Sequence, residues 1–455
     1  MSARTPWRSL RIGGWIAVVL LLVAIPAWAQ QRFPPPEFES GYRMPETTAP
    51  AVRAAVMDYL DIALLLGALG LASYLSLVKR SRPWLAGLSL FSVLYFGFFR
   101  GGCVCVIGSI QNVALAFFQP SYVLPVTVGV FFVAPIVVAL FFGRAFCAGV
   151  CPHGALQDLV LVRPVKVPAW LEQGLSILPY CYLGAGVLFA ATGSAFIICR
   201  ADPFIPLFRL TGSTFMVLLG VGFVVLAMFV GRPYCRFMCP YGAILKLAGL
   251  VSKWFVRVTP SHCSKCRICE EVCPYGAIRY PEPAPPPEQV VADRRRLLRL
   301  AILLPVLVGA GVALGATLAV PLARLDANVA LAERFAAGET PVPAGGAPTP
   351  DRLALTRAEL NAREVVAAAV ETRRQYRLGG WLFGGWIGLV AGVKLLGVSR
   401  SVPRVEYEPD RGACLSCGRC FKYCPHDRVR KAVLNAGGKP APISPGAIPP
   451  LPKLR

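Results

Sequence analysis

The chain has 455 residues, of which 55% are hydrophobic and only 16% are charged. This composition is too apolar for an ordinary soluble protein, and the length exceeds that of one small domain. The formal net charge of +23 would suggest a nucleic-acid partner in a soluble chain. Here most Lys and Arg residues lie in short loops beside apolar stretches, so we predict a polytopic membrane protein and no nucleic-acid partner.

The first 29 residues have the pattern of a cleaved signal peptide. Arg4, Arg8 and Arg11 precede an apolar stretch at about 15–25, and an Ala-Trp-Ala sequence follows at 27–29. A basic region, an apolar region and a small-residue cleavage site in this order are typical of secretory signals. An uncleaved first helix is the alternative. In both cases we expect residues 30–56 to form an extracytoplasmic segment.

Seven apolar stretches of near-bilayer length follow, at about 57–78, 83–99, 121–142, 175–197, 210–230, 299–321 and 380–398. Each is close to the length of about 20 residues that a helix needs to cross a bilayer. Basic residues follow the first, third, fifth and seventh stretches and precede the sixth, and the positive-inside rule places these loops in the cytoplasm. We therefore predict an all-α polytopic protein of a bacterial cytoplasmic (inner) membrane.

These stretches divide the chain into segments. Residues 57–258 are the predicted transmembrane core, and two further transmembrane helices are predicted at 299–321 and 380–398. The region 322–379 between them is Ala-rich, with a Gly/Pro stretch near its middle, and we expect an extracytoplasmic helical insert. The Pro-rich tail at 437–455 is predicted to be disordered. Cysteine runs occupy the two cytoplasmic segments, 259–298 and 399–436.

The two cysteine runs share the spacing C-x2-C-x2-C-x3-C-P and comprise Cys263, Cys266, Cys269 and Cys273, then Cys414, Cys417, Cys420 and Cys424. This is the spacing of bacterial [4Fe–4S] ferredoxins, in which the fourth cysteine binds the other cluster. We therefore expect two [4Fe–4S] clusters in a small cytoplasmic ferredoxin-like module. The predicted ligand sets are Cys263, Cys266, Cys269 and Cys424 for cluster 1, and Cys414, Cys417, Cys420 and Cys273 for cluster 2. A structural zinc site at each run is the alternative.

A second cysteine motif, C-x3-C-P, occurs twice. Cys147 and Cys151 lie in an Arg-Ala-Phe-Cys context after the third apolar stretch, and Cys235 and Cys239 lie in an Arg-Pro-Tyr-Cys context after the fifth. The parallel indicates two duplicated hairpins whose cysteines converge on one site. We expect a further cluster or metal there, or a redox-active dithiol pair. Packing of small buried thiols at tight turns is the alternative.

Two C-x3-C-P elements followed by two ferredoxin-type runs resemble the NosR/NapH family of membrane-bound polyferredoxins over roughly residues 60–436. The resemblance implies a multi-helix membrane protein with two cytoplasmic [4Fe–4S] clusters that works in anaerobic respiration, in nitrous oxide or nitrate reductase systems. The short segment between the signal and the first apolar stretch leaves no room for the flavin domain of full-length NosR. FMN is therefore not expected.

The resemblance implies electron relay between the quinone pool or a cytoplasmic donor and an extracytoplasmic reductase. A metallocentre-assembly or copper-reducing maturation factor for such a reductase is the alternative. No general acid or nucleophile is recognisable, so an electron carrier or a quinol-oxidising redox subunit is expected rather than another type of enzyme. The direction of electron flow and the oligomeric state do not follow from the sequence.

Three further cysteines, Cys103, Cys105 and Cys199, are predicted at the outer edge of the membrane. For Cys103 and Cys105, a thiol exchanging electrons or metal with a partner is one interpretation, and local packing is the other. Cys199 is expected either to pair with one of these two cysteines or to stay unpaired. The histidines His153, His262 and His426 all neighbour cysteine motifs, where we expect contacts to cluster sulfur rather than metal ligation. Asp61, near the start of the first apolar stretch, is expected to lie in solvent.

Overall fold

The structure is a computed structural model and describes residues 55–102, 105–258, 263–283, 286–336, 362–398 and 403–435. The predicted signal peptide, most of the predicted extracytoplasmic segment and the Pro-rich tail lie outside these residues. The described part is almost entirely helical, as the sequence predicts. It consists of a helical core, a long helical hairpin and a small module with a two-stranded sheet.

The core alternates long apolar helices with short helices of four to eight residues. Its helices are α1 (Ala55–Leu77), α2 (Arg82–Ser92), α3 (Val106–Phe118), α4 (Val126–Phe142), α5 (Ala145–Gly149), α6 (Pro152–Leu159), α7 (Ala169–Leu175), α8 (Leu178–Ala191), α9 (Ile197–Arg200), α10 (Ile205–Arg209), α11 (Thr214–Phe229), α12 (Pro233–Phe237) and α13 (Pro240–Leu250). A π-helix, Val93–Phe99, continues α2 without a break. The two C-x3-C-P motifs lie at the α5–α6 and α12–α13 junctions: Cys147 and Cys235 are inside α5 and α12, and Cys151 and Cys239 are the N-caps of α6 and α13.

The hairpin and the module complete the described fold. The remaining helices are α14 (Ile268–Glu271), α15 (Pro287–Ala323), α16 (Ala327–Ala336), α17 (Ala362–Val398), α18 (Arg419–Tyr423) and α19 (Pro425–Asn435). The strands are β1 (Ile278–Arg279) and β2 (Glu408–Pro409), which pair antiparallel with Ile278 opposite Pro409. Since β1 follows the first cysteine run and β2 precedes the second, this pairing holds the two runs together.

Within the described residues, five helical segments are long and apolar enough to cross a membrane: Val56–Leu77, Arg82–Phe99, Ala169–Ala191, Glu288–Ala323 and Val365–Gly397. In the fourth, none of the most apolar 18-residue window is buried inside the protein. An apolar surface of this size is stable only against lipid or a partner. Three shorter apolar helices, α3, α4 and α11, lie among the long ones.

These helices differ in detail from the seven predicted stretches. Two predicted crossings, 121–142 and 210–230, become helices of 17 and 16 residues, because Pro125 and Ser213 cap their starts. The predicted crossings at 299–321 and 380–398 are parts of two helices of 37 residues each. Residues 106–118, which we expected in a short loop, form the apolar helix α3. Residues 362–379 of the predicted insert form the first part of α17, which continues without a break into the predicted crossing at 380–398.

The helices α15 and α17 pack backbone to backbone through glycines. Gly311 faces Gly384, and Gly315 faces Gly380, so the two helices run antiparallel. Small residues let helix axes approach closely, and this packing is a main source of helix association in lipid. The antiparallel arrangement places the start of α15 and the end of α17, and therefore both cysteine runs, at the same end of the hairpin.

This contact yields a first prediction. A Cβ at Gly384 would overlap the carbonyl oxygen of Gly311, a backbone atom that no rotamer change can move. We expect Gly384→Ala to destabilise the protein by about 1–3 kcal/mol, the usual cost of overpacking. Thermal unfolding in detergent measures the effect. Gly309→Ala is the matched control, because nothing lies within 4 Å of that position; equal melting temperatures for both variants would contradict the prediction.

Candidate metal centres

The two ferredoxin-type runs adopt the same local backbone. In each run, the residue before and the residue after the second cysteine have positive φ: Lys265 (54°) and Arg267 (63°) in the first run, Ser416 (52°) and Gly418 (77°) in the second. Three of these four residues carry side chains, which rarely adopt this conformation. The strain is the same in both runs because both loops curl around a central point in the same way.

The second run encloses a cavity together with one cysteine of the first run. This cavity is lined by Cys414, Cys417 and Cys420 and, from the other run, by Cys273. The pKa of Cys414 is raised to about 12, mainly by burial and in smaller part by the neighbouring thiols Cys417 and Cys273. The structure thus brings together the four residues predicted for cluster 2.

The first run has the reciprocal arrangement. Burial raises the pKa of Cys269 to about 12, and the thiols that add to the effect are Cys263, Cys266 and, from the second run, Cys424. Cys424 is itself influenced by Cys266. The four residues predicted for cluster 1 therefore also lie near one another, although Cys424 is about 150 residues away from the other three in the chain.

The surroundings of these thiols fit a bound cationic centre. Backbone N–H groups of Tyr275 and Ala277 bond to Cys273, and those of His426 and Asp427 bond to Cys424, which lowers the pKa of each thiol against the effect of burial. Such N–H donors stabilise thiolate rather than thiol. His426 is buried, and neither of its ring nitrogens has a hydrogen-bond partner among the described residues. Buried thiols with ready donors match iron–sulfur ligation.

The four C-x3-C-P cysteines also converge. Cys239 lies close enough to Cys235, Cys151 and Cys147 for all three to raise its pKa, after the larger effect of burial. Cys151 and Cys239 occupy equivalent places, each at the N-cap of a helix whose first residue is Pro. Proline pre-forms the first helical turn. The duplicated sequence thus produces two similar turns that face a common point.

Two buried arginines flank this point, one from each repeat. Arg144 donates to the carbonyl of Gly412, 3.1 Å away, and lies 3.8 Å from the Cys147 sulfur. Arg232 donates to the backbone carbonyl of Cys147, and Gln157 donates to the Cys235 sulfur at 3.4 Å. The Nε atoms of both arginines lack a partner among the described residues. Positive charge on both sides suits a group of thiolates.

Asp158 connects this site to the ferredoxin-type module. Its carboxylate pairs with Arg82, with Arg232 (3.4 Å) and with Arg419 (3.1 Å), and it accepts a hydrogen bond of 2.8 Å from the Tyr275 hydroxyl. Burial alone would raise the pKa of Asp158, but the three guanidinium groups hold it well below its usual range. One buried anion thus joins the core, the first run and the second run.

Arg80 attaches the second run to the core from the other side. Its guanidinium donates to Asp427 at 2.6 Å and to the carbonyls of Arg257 and Val258, both at 2.8 Å. It also lies over the ring of Phe421, 4.6 Å from the centroid. Arg80, Arg144 and Arg232 lie in the loops that the positive-inside rule assigns to the cytoplasm, and all three are buried and contact the module.

One expectation from the sequence is wrong. Asp61 is fully buried, not solvated: it pairs with Arg100 at 2.7 Å and accepts a hydrogen bond of 2.8 Å from the Tyr95 hydroxyl. His153 Nε2 contacts the carboxylate of Asp202. Cys103 and His262 lie outside the described residues. Cys105 and Cys199 are free thiols near each other, and Cys105 also lies close to His153, which no sequence pattern indicated.

Comparisons with known proteins address the same segments. Residues 124–169 and 213–258, one for each C-x3-C-P repeat, match a family model described as a 4Fe-4S binding domain. Residues 256–279, which contain the first ferredoxin-type run, match another model with the same description. No solved structure matches the chain. The structure and these matches define a helical, membrane-type protein with 4Fe–4S binding domains.

Similarity to curated proteins narrows this class. Uncharacterized protein MJ0750 of Methanocaldococcus jannaschii is 29% identical over 193 residues, which are 40% of this chain and 77% of that protein. Protein NirI of Paracoccus denitrificans is 33% identical over 152 residues, 30% of this chain and 22% of NirI. Regulatory protein NosR of Stutzerimonas stutzeri is 27% identical over 210 residues, 42% of this chain and 29% of NosR. The chain therefore matches less than a third of the NirI and NosR lengths.

The resemblance noted in the sequence is confirmed by these relatives. With its 4Fe–4S binding domains and its similarity to NirI and NosR, the chain resembles the NosR/NapH-type membrane 4Fe–4S proteins.

Proposed function

We propose that this protein carries single electrons through three iron–sulfur clusters, between the quinone pool or a cytoplasmic donor and an extracytoplasmic acceptor. The observation that carries this proposal is the grouping of twelve cysteines into three sets of four, two of which exchange one member. The relatives NirI and NosR support a reductase system of the denitrification type as the setting. An electron carrier needs closely spaced redox centres and no substrate pocket.

The ligand assignment follows the three sets. Cluster 1 is bound by Cys263, Cys266, Cys269 and Cys424, and cluster 2 by Cys414, Cys417, Cys420 and Cys273. The third is bound by Cys147, Cys151, Cys235 and Cys239. When present, each cluster would accept and release one electron. The match of both C-x3-C-P repeats to a 4Fe-4S model supports a cluster at the third site over a dithiol pair.

Sulfur spacing supports clusters over single zinc ions. Four sulfur atoms at 2.3 Å from one zinc ion are separated by about 3.8 Å. Within the described part of the chain, no three sulfur atoms of any set lie within 4.8 Å of one another. A cubane spreads its four ligands over four iron atoms and requires the wider separation.

The connections between the sets support an order for the electron path. Arg144 links the Cys147 sulfur to the backbone of Gly412, two residues before Cys414. Arg82 donates to the Cys417 carbonyl, 3.1 Å away, and binds Asp158 beside the third site. Cluster 2 thus lies between cluster 1 and the third site. We place clusters 1 and 2 on the cytoplasmic side, where the positive-inside rule puts their loops.

Iron analysis tests the proposal. We expect the protein, purified anaerobically in mild detergent, to contain about twelve iron and twelve acid-labile sulfide atoms per chain, with interacting EPR signals in a redox titration. Replacement of Cys147, Cys151, Cys235 and Cys239 by Ser is expected to remove about four irons and one redox transition. Cys181→Ser is the matched control, because Cys181 belongs to none of the three sets.

Two results would contradict the proposal. About eight irons in both the native protein and the quadruple variant would exclude a third cluster. Zinc in place of iron would exclude electron transfer through these cysteines altogether.

The direction of electron flow needs a separate measurement. We expect a quinol added to the oxidised protein to reduce the clusters within the time of one turnover of a respiratory chain.

A further inference from the structure

A second kind of metal-binding group lies beside the C-x3-C-P site. Cys105, His153 and Asp202 each offer one ligand atom, and these atoms all lie within 4.8 Å of one another. His153 Nε2 lies 3.0 and 3.2 Å from the two carboxylate oxygens of Asp202. Zinc bonds of 2.0–2.1 Å to nitrogen and oxygen, at a tetrahedral angle, separate these two atoms by about 3.3 Å. The observed separations are those of a hydrogen-bonded His–Asp pair and are slightly shorter than this value, so only a small shift would place both atoms on one ion.

The three residues come from separate parts of the core. Cys105 is the N-cap of α3, His153 is in the first turn of α6, and Asp202 lies between α9 and α10. The exposed fraction is 2% for His153 and 1% for Asp202, and Cys105 is half-buried. A thiol, an imidazole and a carboxylate brought together from three elements in the protein interior are an unusual set for packing alone.

The charges and the space also favour an ion. Asp202 accepts one hydrogen bond of 2.9 Å from the backbone N–H of Phe204 and otherwise faces the imidazole. A buried carboxylate beside a thiol requires positive charge nearby. A cavity of about 20 Å³, lined by Cys105 and His153 and otherwise mostly by apolar side chains such as Phe96, adjoins the group. This volume suffices for one water molecule, the usual fourth ligand of a zinc ion with three protein ligands.

We propose that Cys105, His153 and Asp202 bind one divalent transition-metal ion of the zinc type, with water as the fourth ligand. Zinc accepts sulfur, imidazole nitrogen and carboxylate oxygen with similar preference, whereas Mg²⁺ and Ca²⁺ avoid thiolate. This site uses none of the twelve cysteines assigned to the clusters, although it adjoins the third set, because Cys151 also lines the cavity. A bound ion would link α3, α6 and the α9–α10 connection to one another.

Metal analysis of single-site variants tests the inference. We expect the full-length protein, expressed with zinc supplied and dialysed against metal-free buffer, to retain about one zinc per chain. Cys105→Ser and Asp202→Asn should each lower the zinc content at least about fivefold, because one of three protein ligands is lost. Iron content should stay unchanged in both variants. Cys181→Ser is the matched control and should retain both metals.

X-ray absorption at the zinc edge gives the second readout. We expect one sulfur at about 2.3 Å and two or three nitrogen or oxygen atoms at about 2.0–2.1 Å. Absence of zinc from the native protein, or unchanged zinc in Cys105→Ser, would overturn the proposal and leave a structural His–Asp pair. A Cys105–Cys199 disulfide found by mass spectrometry would overturn it as well. Loss of iron from the native protein would instead count against the proposed electron-transfer function alone.

Discussion

Replacing Cys424 by Ser is expected to destroy the cluster of the first cysteine run and to spare the cluster of its own run. The reason is the exchange of fourth ligands: Cys424 lies with Cys266 and Cys269, while Cys273 lines the cavity of the second run. A [4Fe–4S] cluster that loses one thiolate is commonly lost, so we expect about four fewer irons per chain.

Double variants identify which cluster is lost. Because Cys263 and Cys424 serve the same cluster, Cys263→Ser combined with Cys424→Ser should remove no more iron than either change alone. Cys414→Ser combined with Cys424→Ser should remove about eight irons, because two clusters are affected. Iron and sulfide analysis with EPR measures both. If the first pair removed eight irons and the second only four, each run would bind its own cluster and the exchange would be wrong.

The second large effect is expected at Asp158. In Asp158→Asn, Arg82, Arg232 and Arg419 lose their shared carboxylate. Removing one partner of a buried ionic network costs about 3–5 kcal/mol, because the remaining charges stay buried. We expect a markedly lower melting temperature and earlier proteolytic release of the ferredoxin-type module, since Asp158 connects that module to the core.

A matched control separates this effect from the loss of any carboxylate. Glu371→Gln removes a largely exposed partner of Arg374, 3.8 Å away on the same helix. Exposed pairs contribute little, so its melting temperature should match that of the native protein. Equal melting temperatures for Asp158→Asn and Glu371→Gln would show that the buried network contributes nothing to stability.

The lowered pKa of Asp158 also predicts how the melting temperatures of the native protein and of Asp158→Asn depend on pH. A carboxylate with a depressed folded pKa stabilises the fold fully above its unfolded pKa of about 3.9, and this contribution is lost as pH falls towards the folded pKa. The difference in melting temperature between the native protein and Asp158→Asn should therefore stay constant from about pH 8 to pH 5. A difference that shrinks below pH 7 would mean that burial, not the guanidinium groups, dominates.

The cysteine chemistry could be predicted from the sequence because it depends on local spacing. Cys263 and Cys414 each begin a run whose spacing specifies a cubane loop, and the structure gives both loops the same left-handed turns. The convergence of Cys147 and Cys235 followed from the repeated sequence, since two copies of one turn related by symmetry face a common point. The helical class followed from the length of the apolar stretches.

Other features could not be predicted, because they depend on which side chains face each other in the folded chain. Arg80, Arg144 and Arg232 have the sequence signature of a cytoplasmic loop, yet each lies inside the protein against the module. Asp61 lies early in an apolar stretch, and its complete burial is tolerable because it pairs with Arg100 and accepts a hydrogen bond from Tyr95. A charged residue has the same sequence signature whether it faces water or a buried counter-ion.

The sequence by itself therefore determined the helical membrane class, the two ferredoxin-type runs and the repeated C-x3-C-P motif, all of which are encoded over about twenty residues or fewer. The tertiary structure decided how the buried arginines hold the module, and that Cys105, His153 and Asp202 meet. Those contacts join residues far apart in the chain, and their free energy depends on burial and on the distance between charges, which no local pattern records.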